Sequence, residues 1–291
     1  MSRIHRLIVP FMCLLAAGCS VQRNPVYQPA YEADTEAIFL GSCTATLTAD
    51  GEPSIVFSRN GVNIAKEKFA EDESIDVVRT PDTNREPLVK LKGFPNKVLI
   101  VRSMGGNSGY KYTFFDMNAT PRKICTLSNG CSTANLVAAK AAPDVYELEI
   151  HDWYNDWGGA RSVAPSVTLF WNGSRFELDP GAMKEEPPND EDTVDLREAI
   201  GEQFAGLPVV SDVNNLESMI NSAPPELAAE VIDRVYMGEC KQARHFLDRA
   251  WPKKRLGKEA FWSFLKQEMR KSPYWLQIVN LNNGSKLLTS R

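Results

Sequence analysis

Alternating apolar runs over the first two-thirds of the chain, and apolar residues at helical spacing over the last third, predict an α+β protein. The expected architecture is an N-terminal, mainly antiparallel β domain, a sandwich or an open barrel-like sheet, followed by a small C-terminal helical bundle. An acidic, proline-bearing stretch at residues 180–192 falls where the period changes and marks the boundary. The predicted division is residues 1–18 a signal segment, 19–35 a tether, 36–179 the β-rich domain, 180–192 a linker and 193–291 the helical domain.

In the β part, Ser54-Ile55-Val56-Phe57 and Val62-Asn63-Ile64 flank Arg59-Asn60-Gly61, a hairpin signal. Val89-Lys90-Leu91-Lys92 alternates apolar and basic residues, as a half-buried strand does. Val98-Leu99-Ile100-Val101 is continuously apolar and suits a strand buried on both faces. Further strands are expected over residues 110–115, 145–150 and 167–171. Asn172-Gly173 then reads as a two-residue hairpin turn into residues 175–178. Only residues 133–140 read as a helix in this part.

After the linker, Pro224 and Pro225 suit a helix start, and Leu227, Val231 and Val235 follow at helical spacing until Gly238. Ala243, Phe246, Leu247 and Ala250 line a second helix stopped by Pro252. Phe261, Leu265 and Met269 line a third, ending near Ser272-Pro273.

The N-terminus carries an address. Arg3, His5 and Arg6 precede an apolar run of eleven residues, 7–17, too short to span a bilayer. Leu15-Ala16-Ala17-Gly18-Cys19 resembles the lipobox of bacterial lipoproteins. That resemblance implies lipidation of the Cys19 sulfur, cleavage before Cys19 and a membrane-anchored chain; two or three acyl chains hold far more firmly than one. Ser20, where an inner-membrane lipoprotein carries Asp, points by the same resemblance to the outer membrane, facing the periplasm. Residues 20–35 then form a polar tether reaching on the order of 20 Å.

Loss of residues 1–18 takes the formal charge from −4 to −6, which gives no electrostatic case for nucleic acid. Of six cysteines, Cys43, Cys125, Cys131 and Cys240 remain beside the lipidated Cys19. In an oxidising compartment they are disulfide candidates. The short, turn-forming segment between Cys125 and Cys131 favours that pair and leaves Cys43 with Cys240. A four-thiolate zinc site is the alternative, without a CxxC pair to support it.

The most distinctive loop is Asp152-Trp153-Tyr154-Asn155-Asp156-Trp157-Gly158-Gly159, followed by Arg161. Its alternating oxygens resemble a calcium loop, but Tyr154 and Trp157 stand where such loops need Asp, Asn or Gly, and no bidentate Glu follows. The other readings are aromatics covering a sheet, or a recognition surface of Trp, Tyr and Arg composition. Gly105-Gly106-Asn107-Ser108-Gly109 suits either an anion-binding loop or, without a Lys-Ser/Thr ending, a hairpin turn. His151 and His245 are the only histidines after residue 18, and no G-x-S-x-G elbow is present. No catalytic constellation, resident metal or cofactor is expected. Lys253-Lys254-Arg255 reads as a solvated connector between helices.

Two stretches resemble proteobacterial envelope lipoproteins of unknown function. One runs from Asp152-Trp153 through Gly159-Ala160 and Ala164-Pro165 to Leu169-Phe170-Trp171-Asn172-Gly173. The other holds Phe246-Leu247-Asp248-Arg249-Ala250-Trp251-Pro252, Gly257-Lys258, Phe261 and Ser272-Pro273-Tyr274-Trp275. The resemblance implies an architecture and assigns no activity. The expectation is a non-enzymatic binding or interaction module of the envelope, with an envelope protein as partner; an inhibitor or immunity role is one version. The competing expectation is an envelope hydrolase using carboxylates or His151 with Asp152.

Overall fold

The computed structural model describes residues 35–49, 51–82, 85–105, 109–118, 120–130, 132–152, 164–184, 193–209, 218 and 221–290, all within one compact unit of residues 32–291. The α+β class holds: strands fill the first part and helices the second. Among the described residues the strands form three antiparallel sheets. The first holds β1 Thr35–Leu40, β2 Cys43–Thr48, β3 Ser54–Arg59 and β4 Val62–Lys68 in sequence order. The second has the order β5 Glu73–Val78, β7 Val98–Gly105, β8 Gly109–Asp116 and β9 Arg122–Ser128, with the short β6 Leu88–Val89 also on β7. The third holds β10 Asn135–Ala139, β11 Ala142–His151, β12 Ser166–Trp171 and β13 Phe176–Leu178.

Two hydrophobic cores explain the continuous apolar run on β7. Successive side chains of a strand point to opposite faces. Leu99 and Val101 therefore join Ile75, Val77 and Phe115 against Ile38, Ala45, Leu47, Ile55 and Phe57 of the first sheet. Val98 and Ile100 face the other way with Tyr112 and Phe114, into an inner core shared with the third sheet and the helices. The first two sheets thus pack as a sandwich, and the second lies between two cores. A bulge in β9 opposite Phe114 and Phe115 lets the neighbours Ile124 and Cys125 both pack on the inner core.

Residues 90–93 join the second and third sheets. The Lys92 N–H donates to the Tyr146 carbonyl (2.8 Å), the Tyr146 N–H to Lys90 (2.8 Å) and the Trp171 N–H to Lys92 (3.0 Å). The chain turns at Gly93 with φ +87°, where an added Cβ would lie 1.7 Å from the Trp171 carbonyl oxygen; only glycine fits. The Lys92 ammonium bridges two buried carboxylates, Glu147 at 2.6 Å and Asp179. Burial pushes Asp179 up, but Lys92 and the N–H groups of Ala182 and Gly181 outweigh it and hold it below the usual carboxylate range.

Helices whose bounds lie among the described residues are α1 Pro180–Met183, α2 Val194–Gln203, α3 Pro225–Tyr236, α4 Cys240–Ala250, α5 Lys258–Met269, α6 Trp275–Leu281 and α7 Lys286–Thr289. A 3-10 turn, Phe204–Gly206, follows α2. Pro225 opens α3, and Leu227, Val231 and Val235 are fully buried, as their spacing predicts. The inner core runs without a break from Val98 through Leu148 and Val167 to Val231, Phe246 and Leu265.

Three local expectations are corrected. Residues 133–140 form no helix: residues 135–139 are strand β10, paired with β11, and the Ala134 N–H donates to the Tyr112 hydroxyl at 2.6 Å. Pairing against an existing strand outweighs the helix preference of Ala138 and Ala139. The turn after Trp171 takes four residues, with Trp171 opposite Phe176, because the Asn172 side-chain oxygen accepts from the N–H groups of Ser174 and Arg175. Residues 180–183, assigned to the linker, form α1, capped by Asp179, with Met183 buried; residues 185–192 lie outside the described residues. By contrast, the Asn60-Gly61 hairpin has both residues at positive φ, 52° and 77°, as a two-residue turn requires.

Candidate functional site

Of the distinctive loop, Asp152 alone is described; Trp153, Tyr154, Asp156, Trp157 and Arg161 lie outside the described residues, so the calcium and recognition readings stand as read from sequence. Asp152 follows β11, its N–H donating to the Pro165 carbonyl at 2.9 Å. By strand alternation it shares the face of Leu148 and Ile150 and points into the inner core, with only 3% of its surface exposed. There its Oδ2 accepts from the Tyr236 hydroxyl of α3 at 2.7 Å and from the Ser272 hydroxyl before α6. Ser272 Oγ in turn accepts the Tyr274 N–H at 3.0 Å. Burial pushes the Asp152 carboxyl above the usual carboxylate range, and the bonds from Ser272 and Tyr236 pull it part of the way back. Burial first, then the Asp152 charge, drives the Tyr274 phenol upward.

His151 points to the opposite face. Its Nδ1 lies 3.1 Å from the Ala164 carbonyl oxygen. The structure therefore does not assemble His151 and Asp152 into a base and its orienting carboxylate, because adjacent strand residues diverge and Asp152 is taken by two hydroxyls. What it assembles on the His151 side is a cleft of about 300 Å³. Glu149, Ser166 and Thr168 of the third sheet, Met183 of α1 and Asp233 and Tyr236 of α3 line it. Burial and then the Glu230 charge push Asp233 up to about 6, while the nearby His151 pulls it down. Glu149 accepts the Asn135 side-chain amide at 3.2 Å. Asp233 and Tyr236 were not singled out in the sequence, and Ser272 entered only as a helix end and within a stretch of resemblance; the available signal for Tyr236 was its closing of an otherwise apolar helix stripe.

The cysteines correct another expectation. Cys43, Cys125 and Cys240 are free thiols. Cys43 faces the outer core on β2 and Cys240 the inner core at the start of α4, so the predicted Cys43–Cys240 bridge is not formed. Burial pushes Cys125 up to about 11, partly offset by Lys123, which keeps it a thiol at neutral pH. Cys131 and Cys19 lie outside the described residues. Gly105 and Gly109 face each other across the β7–β8 ladder, as a hairpin requires. His245 is exposed.

Among the described residues no group of three His, Cys, Asp or Glu side chains is placed to hold a metal ion, and no helix is long and apolar enough to cross a membrane. In comparisons with known proteins, no family model, curated protein or solved structure matches the chain.

Proposed function

We propose that this protein is an envelope lipoprotein, anchored through Cys19 to the outer membrane and facing the periplasm, which binds a protein or another envelope component through the aromatic segment after Asp152. The observation that carries the binding reading is the fixing of both ends of residues 153–163. Asp152 is fastened to Tyr236 and Ser272, and Ala164 and Pro165 accept from His151 and Asp152. Recognition segments are typically mounted on such rigid roots. The lipobox resemblance at residues 15–19 supports the anchor.

The anchor is tested by intact mass of protein extracted from membranes. The expected mass lacks residues 1–18 and carries acyl chains, and Cys19→Ser abolishes both; normal processing of that variant sinks the anchor. Binding is tested by crosslinking in envelopes, where Trp153→Ala with Trp157→Ala should lose any specific partner. Recovery of the same partners by that variant rules out the segment.

A second reading, an envelope hydrolase, is favoured by Asp233, raised to about 6 in the cleft that also holds Glu149. Turnover of envelope glycans that disappears in Glu149→Gln and in Asp233→Asn would establish it over simple binding; glycan turnover unchanged in both variants would remove it.

A further inference from the structure

The Lys253-Lys254-Arg255 run is not the uniformly solvated connector that its composition suggests. Arg255 turns inward. Its guanidinium donates to the carbonyls of Phe204 (3.2 Å), Leu207 (3.1 Å) and Ser222 (3.1 Å), and to that of Pro208. It also lies 5.0 Å over the Phe204 ring. The Arg255 carbonyl accepts the Trp251 indole N–H at 2.9 Å, and its N–H donates to Pro252 at 2.9 Å. The connector between α4 and α5 is therefore pinned at its root, and its other side chains are forced outward. Lys253 and Lys254 are exposed, and Leu256 is 76% exposed. The same guanidinium holds Pro208 close by, and the adjoining Val209 is 55% exposed. The acids of the neighbouring helices are engaged elsewhere: Asp248 with Lys258 (2.7 Å) and Arg244, and Glu259 with Arg244.

A pinned tip that presents two lysines, unpaired among the described residues, beside an exposed leucine is amphipathic in the sense that an anionic lipid surface demands. We propose that this tip rests on the phospholipid surface, with Lys253 and Lys254 against the phosphate groups of anionic lipids and Leu256 beside them in the upper acyl region. The proposal rests on the lipoprotein reading for its biological setting. A chain already anchored to the membrane meets it at high effective concentration, so a contact too weak to hold a free protein suffices to orient this one.

The test uses the full mature chain, residues 19–291, with Cys19→Ser so that no lipid is attached. It is sedimented with vesicles of phosphatidylcholine alone or mixed with phosphatidylglycerol. The expected result is partitioning onto the mixed vesicles only, falling as salt rises. The Lys253→Ala/Lys254→Ala pair should weaken it about 25-fold, at about fivefold per lysine, and Leu256→Ser about tenfold. All three side chains are exposed, so thermal melts should match the parent. Equal partitioning onto both vesicle types, no partitioning onto the anionic ones, or partitioning that the variants leave unchanged would each overturn the proposal. So would variants that lose capture of an acidic protein and still bind vesicles. An acyl-free mass for the membrane-extracted protein would remove the anchor and leave this vesicle result standing, so the two failures are distinguishable.

Discussion

Replacing Tyr236 by Phe removes one of two hydroxyls that donate to a carboxylate with 3% of its surface exposed. A hydrogen bond to a buried charged group contributes about 1.5–3 kcal/mol. At roughly 2–4 °C per kcal/mol for a chain of this size, a loss of about 2 kcal/mol lowers the melting temperature by about 4–8 °C. The effect should depend on pH with a definite sign. Asp152 has its folded pKa raised above the ordinary value of 3.8, so its charge opposes folding above the folded pKa, and that penalty is gone below 3.8. The phenol is one of the bonds that lower this pKa; without it the pKa climbs further. Tyr236→Phe should therefore cost most near pH 8 and progressively less toward pH 4. In an Asp152→Asn background the same substitution removes only a neutral hydrogen bond, about 1 kcal/mol. The assay is thermal or urea unfolding of the single and double variants at both pH values. An equal loss at pH 4 and pH 8, or no coupling between Tyr236 and Asp152, would refute the assignment of Tyr236 as a donor to an ionised Asp152.

Asp233→Asn should stabilise the protein by about 3 kcal/mol at pH 8, since a carboxyl raised from 3.8 to about 6 opposes folding above that pH, with little gain near pH 4; melts across this range check it. Arg255→Ala should cost about 3 kcal/mol by removing the donor that four carbonyls share, and faster hydrogen exchange over residues 204–207 would show where. Gly93→Ala should prevent soluble folding, at about 4 kcal/mol or more, because its Cβ meets the Trp171 carbonyl at 1.7 Å; a normal melt would contradict the close packing of the second and third sheets.

The class and the main helices were legible because their signals are local. Pro225, Gly238 and Pro252 mark boundaries by backbone chemistry, and Leu227, Val231 and Val235 declare a buried face by spacing alone. The two-faced burial of β7 was equally plain from four consecutive apolar residues. What failed depended on distant partners. Residues 135–139 become a strand only because β11 offers a ladder, and residues 180–183 a helix because Asp179 caps them. Cysteine count could not reveal that Cys43 and Cys240 face different cores. The cleft escaped for the same reason: Glu149 and Asp233 are 84 positions apart, and nothing near either in sequence announces the other.

The alternation on β7 also fixes which part of the protein depends on which. The face that the first sheet buries is supplied from across the sandwich by Leu99, Val101, Phe115, Ile75 and Val77. Removing residues 35–68 would leave those five side chains facing water while the other face of the same strands kept its own neighbours. The dependence is thus unequal: the second sheet has a further core on its other face, whereas the first sheet has nothing to fold against once the second is gone.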